Sequence, residues 1–179
     1  ECMSGIEHQV ASHLIAEGMV DEGLILTKMI HDRYHAAKRN PFNEIECSDH
    51  YARAMASYGT FLTACGFEYH GPKGYIRFAP KWNKEHFKAP FIVAEGWGSY
   101  TQKKLDNEQE HCLSIKYGSL KLTTLSFEKI VGQKIKQATA MLDSQKVAIK
   151  FQQDATSMQI VLNSPVIIKE NQTLVIHIK

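Results

Sequence analysis

At 179 residues the chain can bury about 70% of its unfolded surface, enough for one good core or two small ones. A hydrophobic fraction of 44% and a charged fraction of 22% are those of an ordinary globular protein, and a net charge of +2 is too weak to point to nucleic acid. No apolar run approaches the ~20 residues that cross a bilayer as a helix, and no basic cluster exceeds Lys103-Lys104.

Residues 4–65 read as three helices. Ser4 and Glu7 have the spacing of a capping box, and Ile6, Val10 and Leu14 recur along one helical stripe. Gly18 ends that segment, and a second helix runs from about residue 20 to His35 with Leu26, Met29, Ile30 and Tyr34 as its stripe. The third starts behind Ser48, an N-cap with Asp49 in the first turn, and ends near Cys65 at Gly66. Its apolar positions are Tyr51, Met55, Tyr58 and Leu62. The small residues between them (Ala52, Ala54, Ala56, Ser57 and Gly59) predict close approach by neighbouring helices.

After Pro72 the period changes from 3.6 to 2. Short strands are predicted at 75–78 and 91–94, with 82–88 as a connection. Alternation is clear in Leu113-Ile115-Tyr117, Leu120-Leu122, Val147-Ile149-Phe151, Met158-Ile160-Leu162 and Leu174-Ile176-Ile178. Turn residues separate them at Gly118-Ser119, Asp143-Ser144, Asn163-Ser164-Pro165 and Glu170-Asn171-Gln172. The polar residues 105–111 read as a flexible join. The expected division is therefore 1–72, helical, and 73–179, β-rich and mostly antiparallel in the manner of a sandwich.

Chemistry concentrates in Arg39-Asn40-Pro41-Phe42-Asn43-Glu44-Ile45-Glu46-Cys47-Ser48-Asp49-His50-Tyr51-Ala52-Arg53, with three carboxylates, two amides, two guanidiniums, a histidine and a tyrosine. Pro41 favours an extended backbone at Asn40, and polar groups on such a loop are placed to grip a polar ligand. Glu44 can accept from two sugar hydroxyls while Arg53 offers a fork of donors; an ion pair fixing the loop to the helix is the structural alternative. Glu46 and Asp49 compare with a glycosidase acid/base pair, but only three residues separate them, and hydrogen bonding or cation binding competes. His50 beside the acids is a candidate site residue or a hydrogen-bonded buried histidine. His31 and His35 stand at i, i+4 without a third ligand and read better as surface or packing residues. Trp97, in Glu95-Gly96-Trp97-Gly98, can stack on a sugar or serve a core. Cys2, Cys47, Cys65 and Cys112 lack metal-site spacing and read as thiols.

Arg39-Asn-Pro-Phe-Asn-Glu-Ile-Glu-Cys-Ser-Asp-His-Tyr-Ala-Arg-Ala-Met-Ala-Ser-Tyr58 resembles the late catalytic-domain motif of glycoside hydrolase family 116, the non-lysosomal glucosylceramidase and β-glucosidase family. Ala64-Cys-Gly-Phe-Glu-Tyr-His-Gly-Pro-Lys-Gly74, Phe78-Ala-Pro80 and Ala94-Glu-Gly-Trp-Gly98 match the continuation of bacterial members. Gly5-Ile-Glu-His-Gln-Val-Ala11 and Glu17-Gly18 fit the helices before it. The resemblance covers residues 3–103 and is thin beyond 125.

The resemblance implies an α+β chain: the closing helices of an (α/α)6 barrel, then the β region. It implies a retaining β-glycosidase needing no cofactor. The glutamate nucleophile and aspartate acid/base precede the motif in family members, so neither is expected in this chain. Glu44 and Arg53 would contact hydroxyls of a β-linked glucosyl residue, with His50 beside them; Met3 stands where many members carry tryptophan. The chain then reads as a C-terminal fragment whose partners are the rest of the catalytic domain and a β-linked glycoside. Alone, it is expected to be inactive and to self-associate through apolar helix faces. Two other functions compete: a non-catalytic carbohydrate-binding or scaffold module that uses the β region, and a complete small hydrolase using Glu46 or Asp49.

Overall fold

The computed structural model describes residues 3–38, 53–105, 108–129, 132 and 134–179. They fall into two compact units, Glu1–Gly66 and Phe67–Lys179.

In the first unit, helix α1 (Ser4–Ala16) packs against α2 (Val20–His31) and α3 (Ala54–Cys65). The buried face of α1 is Ser4, His8, Ala11 and Ile15. The predicted stripe lies elsewhere: Ile6 and Val10 are 52% and 45% exposed. Apolar residues occupy both sides of α1, so periodicity alone could not choose between them; Gly23 decides it. A Cβ there would lie 2.5 Å from Ile15 Cγ1 and 2.8 Å from the Ala11 carbonyl oxygen, so only glycine lets α2 approach this face. The capping box does not form: Met3 is the N-cap and Ser4 is the first, buried, helical residue. Helix α2 ends at His31, and His35 lies beyond it, where its Nδ1 accepts from the Ala37 N–H at 3.1 Å. The two histidines therefore share no helix face.

Helix α3 buries Thr60, Ala64 and Cys65, while Met55 of the predicted stripe is exposed. Among the described residues, no atom of a neighbouring element lies within 4 Å of a Cβ placed on Gly59, so no described helix crowds α3 at that position.

Among the described residues, the second unit holds ten strands: β1 (Glu68–His70), β2 (Tyr75–Phe78), β3 (His86–Val93), β4 (Gly96–Leu105), β5 (Glu108–Glu128), β6 (Ala138–Leu142), β7 (Gln145–Val147), β8 (Ile149–Gln153), β9 (Ser157–Lys169) and β10 (Thr173–Ile178). All pairs are antiparallel except β2 with β5, which makes the sheet mixed. The N-terminal half of β5 pairs with β4 and β10, and its C-terminal half with β9 and β2. One continuous sheet thus folds into two faces, in the manner of a β-sandwich. Phe78 and Phe127 from one face meet Phe91 and Tyr100 from the other.

The helical-barrel expectation is overturned. Among the described residues there are three α-helices, and the dominant element is this large mixed sheet. The physical reason is where the apolar residues go: the large buried side chains come mainly from strands, whereas the helices leave Ile6, Ile25, Met29 and Met55 exposed.

Three further expectations are corrected in the β unit. Asn163-Ser164-Pro165 is no turn but lies inside β9. Gly118-Ser119 is no turn: Gly118, at φ +74°, sits within a single 21-residue strand. Residues 108–111 form strand rather than a flexible join, and Gln109 and His111 point into the core, 2% and 0% exposed.

Candidate functional site

The polar end of the helical unit collects around the first turns of α1. Glu7, on the first turn, takes an ion pair from Arg33, which lies just past the end of α2; Arg33 Nη1 to Glu7 Oε1 is 3.3 Å. Tyr34 donates its hydroxyl to Ser4 Oγ at 3.4 Å. On the α3 side, Thr60 Oγ1 donates to the His8 carbonyl at 3.2 Å and lies 3.0 Å from Ser12 Oγ. Hydroxyls thus take part in the seam between α1 and α3, a contribution that hydrophobic periodicity does not read.

Arg53 joins this end. It is the N-cap of α3 and holds a left-handed backbone, φ 49° and ψ 36°, which costs a non-glycine residue about 1 kcal/mol or more. Its carbonyl accepts from the N–H groups of Ala56 and Ser57 at 3.1 and 3.2 Å. Its stem runs over Gly5 of α1: a Cβ at Gly5 would sit 3.1 Å from Arg53 Cδ. Two backbone features, a strained cap and a glycine notch, thus hold the stem of this guanidinium-bearing chain against the first turn of α1.

Of the residues singled out by sequence, Arg53 is placed here. Glu44, His50, Glu46 and Asp49 lie outside the described residues. Glu7, Arg33, Ser4 and Tyr34 were missed as a group, although the Ser4/Glu7 spacing drew attention for another reason. No cluster of three or more metal-ligating side chains occurs among the described residues. Cys65 and Cys112 are free thiols, and burial pushes Cys65 up to about 11, far from a reactive thiolate.

A second polar group is enclosed in the β unit. Tyr100 donates its hydroxyl to Gln102 Oε1 at 2.9 Å, and the Tyr100 hydroxyl oxygen lies 2.8 Å from His111 Nδ1. Gln102 Nε2 reaches the Lys84 carbonyl at 2.7 Å, and His111 Nε2 lies 3.2 Å from Gln109 Oε1. Burial first, then Lys104 and His177, lowers His111 to about 3. Being closed to solvent, the group is a structural network. Its alternation with Leu113 and Ile115 on β5 was the signal that could have revealed it.

No family model matches the chain, and no curated protein matches it. Among solved structures it is similar to an α-L-rhamnosidase from Dictyoglumus thermophilum, with 11% identity and a TM-score of 0.38 over 73% of this chain. The match spans 14% of that enzyme's length.

Proposed function

We propose that the chain contributes sugar-contacting groups, and not the catalytic carboxylates, to a retaining β-glycosidase of the β-glucosidase or glucosylceramidase kind. Glu44 and Arg53 receive hydroxyls of the β-linked sugar, and His50 completes the polar lining. The observation that carries this reading is Arg53. A residue held in a left-handed conformation that glycine would adopt at less cost is retained for its side chain, and that side chain belongs to the motif resembling family 116.

The test uses p-nitrophenyl β-glucoside with the native gene product and its Glu44→Ala and Arg53→Gly variants. Each should lower kcat/KM by about a hundredfold. Arg53→Gly should leave the melting temperature unchanged or raised, because glycine tolerates the cap geometry. Full activity in both variants would defeat the proposal. So would turnover by residues 1–179 alone that disappears with Glu46→Gln or Asp49→Asn, since the catalytic pair would then lie in this chain. A non-catalytic carbohydrate-binding module is the competing reading, and exposed aromatic side chains on the β unit favour it.

A further inference from the structure

Arg53 and Gly5 are each a residue that its backbone position disfavours, and they meet at one place. Arg53 caps α3 in the left-handed region, where a side chain adds strain. Gly5 lies in the first turn of α1, and glycine is the poorest helix former after proline. It has no positive φ to accommodate, so what it supplies is room rather than backbone freedom. A Cβ there would stand 3.1 Å from Arg53 Cδ, 3.4 Å from Nε and 3.7 Å from Cγ. These three nearest atoms belong to one stem, which crosses α1 through the gap that a side chain at Gly5 would fill.

What would yield to an added methyl decides what the gap does. The first turn of α1 is tied twice to the segment after α2: Glu7 pairs with Arg33, and Ser4 accepts from Tyr34 at 3.4 Å. The Arg53 backbone is tied as well, since its carbonyl accepts from the Ala56 and Ser57 N–H groups. Between these two held backbones lie the rotatable bonds of the arginine stem. Crowding at Gly5 is therefore relieved by turning those bonds. A displacement of a few tenths of an ångström at Cδ then reaches the guanidinium enlarged, because rotation moves the distal atoms farthest.

We propose that Gly5 is a positioning residue: by lacking a side chain it sets the path of the Arg53 stem, and so the point at which the guanidinium meets the hydroxyls of the β-linked sugar. The inference rests on the glycosidase reading and adds to it a residue that acts through Arg53. A guanidinium recognises its acceptors by the fixed directions of its N–H groups, so displacement weakens the contact even though the charge is kept. A misplacement of about 1 Å costs on the order of a hundredfold, and a shift of tenths of an ångström about three- to tenfold.

The test is a double-substitution cycle in the native gene product with p-nitrophenyl β-glucoside: the parent, Gly5→Ala, Arg53→Gly and the two together. Gly5→Ala should raise KM about three- to tenfold with kcat nearly unchanged. It should hold or raise the melting temperature, since alanine favours the helix; a residue serving only the fold would change stability and leave KM alone. In the Arg53→Gly background no stem crosses the gap, so adding Gly5→Ala should change KM by less than about twofold. A parental KM in Gly5→Ala, with Arg53→Gly impaired, would overturn the proposal and leave the glycosidase reading standing. An equal rise in KM in both backgrounds would overturn it too, because Gly5 would then act on something other than Arg53. Parental kinetics in Arg53→Gly would defeat the reading and this inference with it. If Gly5→Ala lowers the melting temperature, Arg53→Gly in the same chain must restore it; a double variant that stays destabilised sinks the proposal.

Discussion

His111 combines complete burial, a ring stacked 3.9 Å from Phe127, and a contact with the Tyr100 hydroxyl. Its folded value, about 3, lies below the ordinary 6.5, so folding favours the neutral ring. The stabilising effect is complete above pH 6.5 and is lost as pH falls from there towards 3, because the unfolded chain binds a proton that the folded chain rejects. The slope should approach about 1.4 kcal/mol per pH unit below that upper limit. Thermal unfolding followed from pH 7 to 4 should show this decline, and His111→Gln should flatten it while lowering stability at pH 7. An equal slope in the variant would place the titration elsewhere. The sequence carried the alternation that buries His111, but its polarity, like that of Gln109, argued for a linker. Burial followed from partners on β4, contributed by residues distant enough that no local pattern could announce them. Arg53 shows the reverse: the motif was legible, whereas the strained backbone that holds it required the fold.

At the scale of elements, β5 carries the largest difference between expectation and structure. Leu113-Ile115-Tyr117 and Leu120-Leu122 were legible as apolar alternation, and Gly118 between them carries an ordinary turn signature. The strand continues through it because each half finds different partners, and glycine supplies the kink at φ +74°. A Cβ on Gly118 would lie 2.0 Å from the Glu95 carbonyl oxygen. Gly118→Ala therefore combines left-handed strain with a backbone clash and should cost about 3 kcal/mol or more in chemical denaturation. A change below about 1 kcal/mol would show that the β3–β4 turn can move aside. The helices were legible in number, and their order matches, but their inward faces were not. In α1 the wrong stripe is as apolar as the right one, and the choice lay with Gly23 on a different helix.

For the whole molecule, the β unit holds most of the core, whereas the helical unit shows much apolar surface. Ile25, Met29 and Met55 are 60%, 59% and 88% exposed, and a cleft of about 620 Å³ along α1 is lined by Ile6, Val10, Leu14 and Met19 among others. Such surface drives association. Sedimentation velocity of residues 1–179 should show concentration-dependent oligomers, reduced by Val10→Lys; a sharp monomer at all concentrations would count against it. The β class of residues 73–179 was legible because alternation is a local signal. The barrel inference failed because the dominant element is a large mixed sheet, with three α-helices among the described residues.

The double membership of β5 also bears on the order in which the protein is made. Gln109 on β5 pairs with Ile178 on β10, and Lys121 with Ile167 on β9. During synthesis β5 therefore leaves the ribosome with β4 and β2 already made, but long before β10 and β9, which flank its other edge in the two faces. Until β9 and β10 follow, each half of it has one open edge, the kind of edge that pairs with the wrong chain. The polar Gln109 and His111, costly to bury in a foreign sheet without Tyr100 and Gln102, then act as a check on promiscuous pairing as well as a part of the finished core.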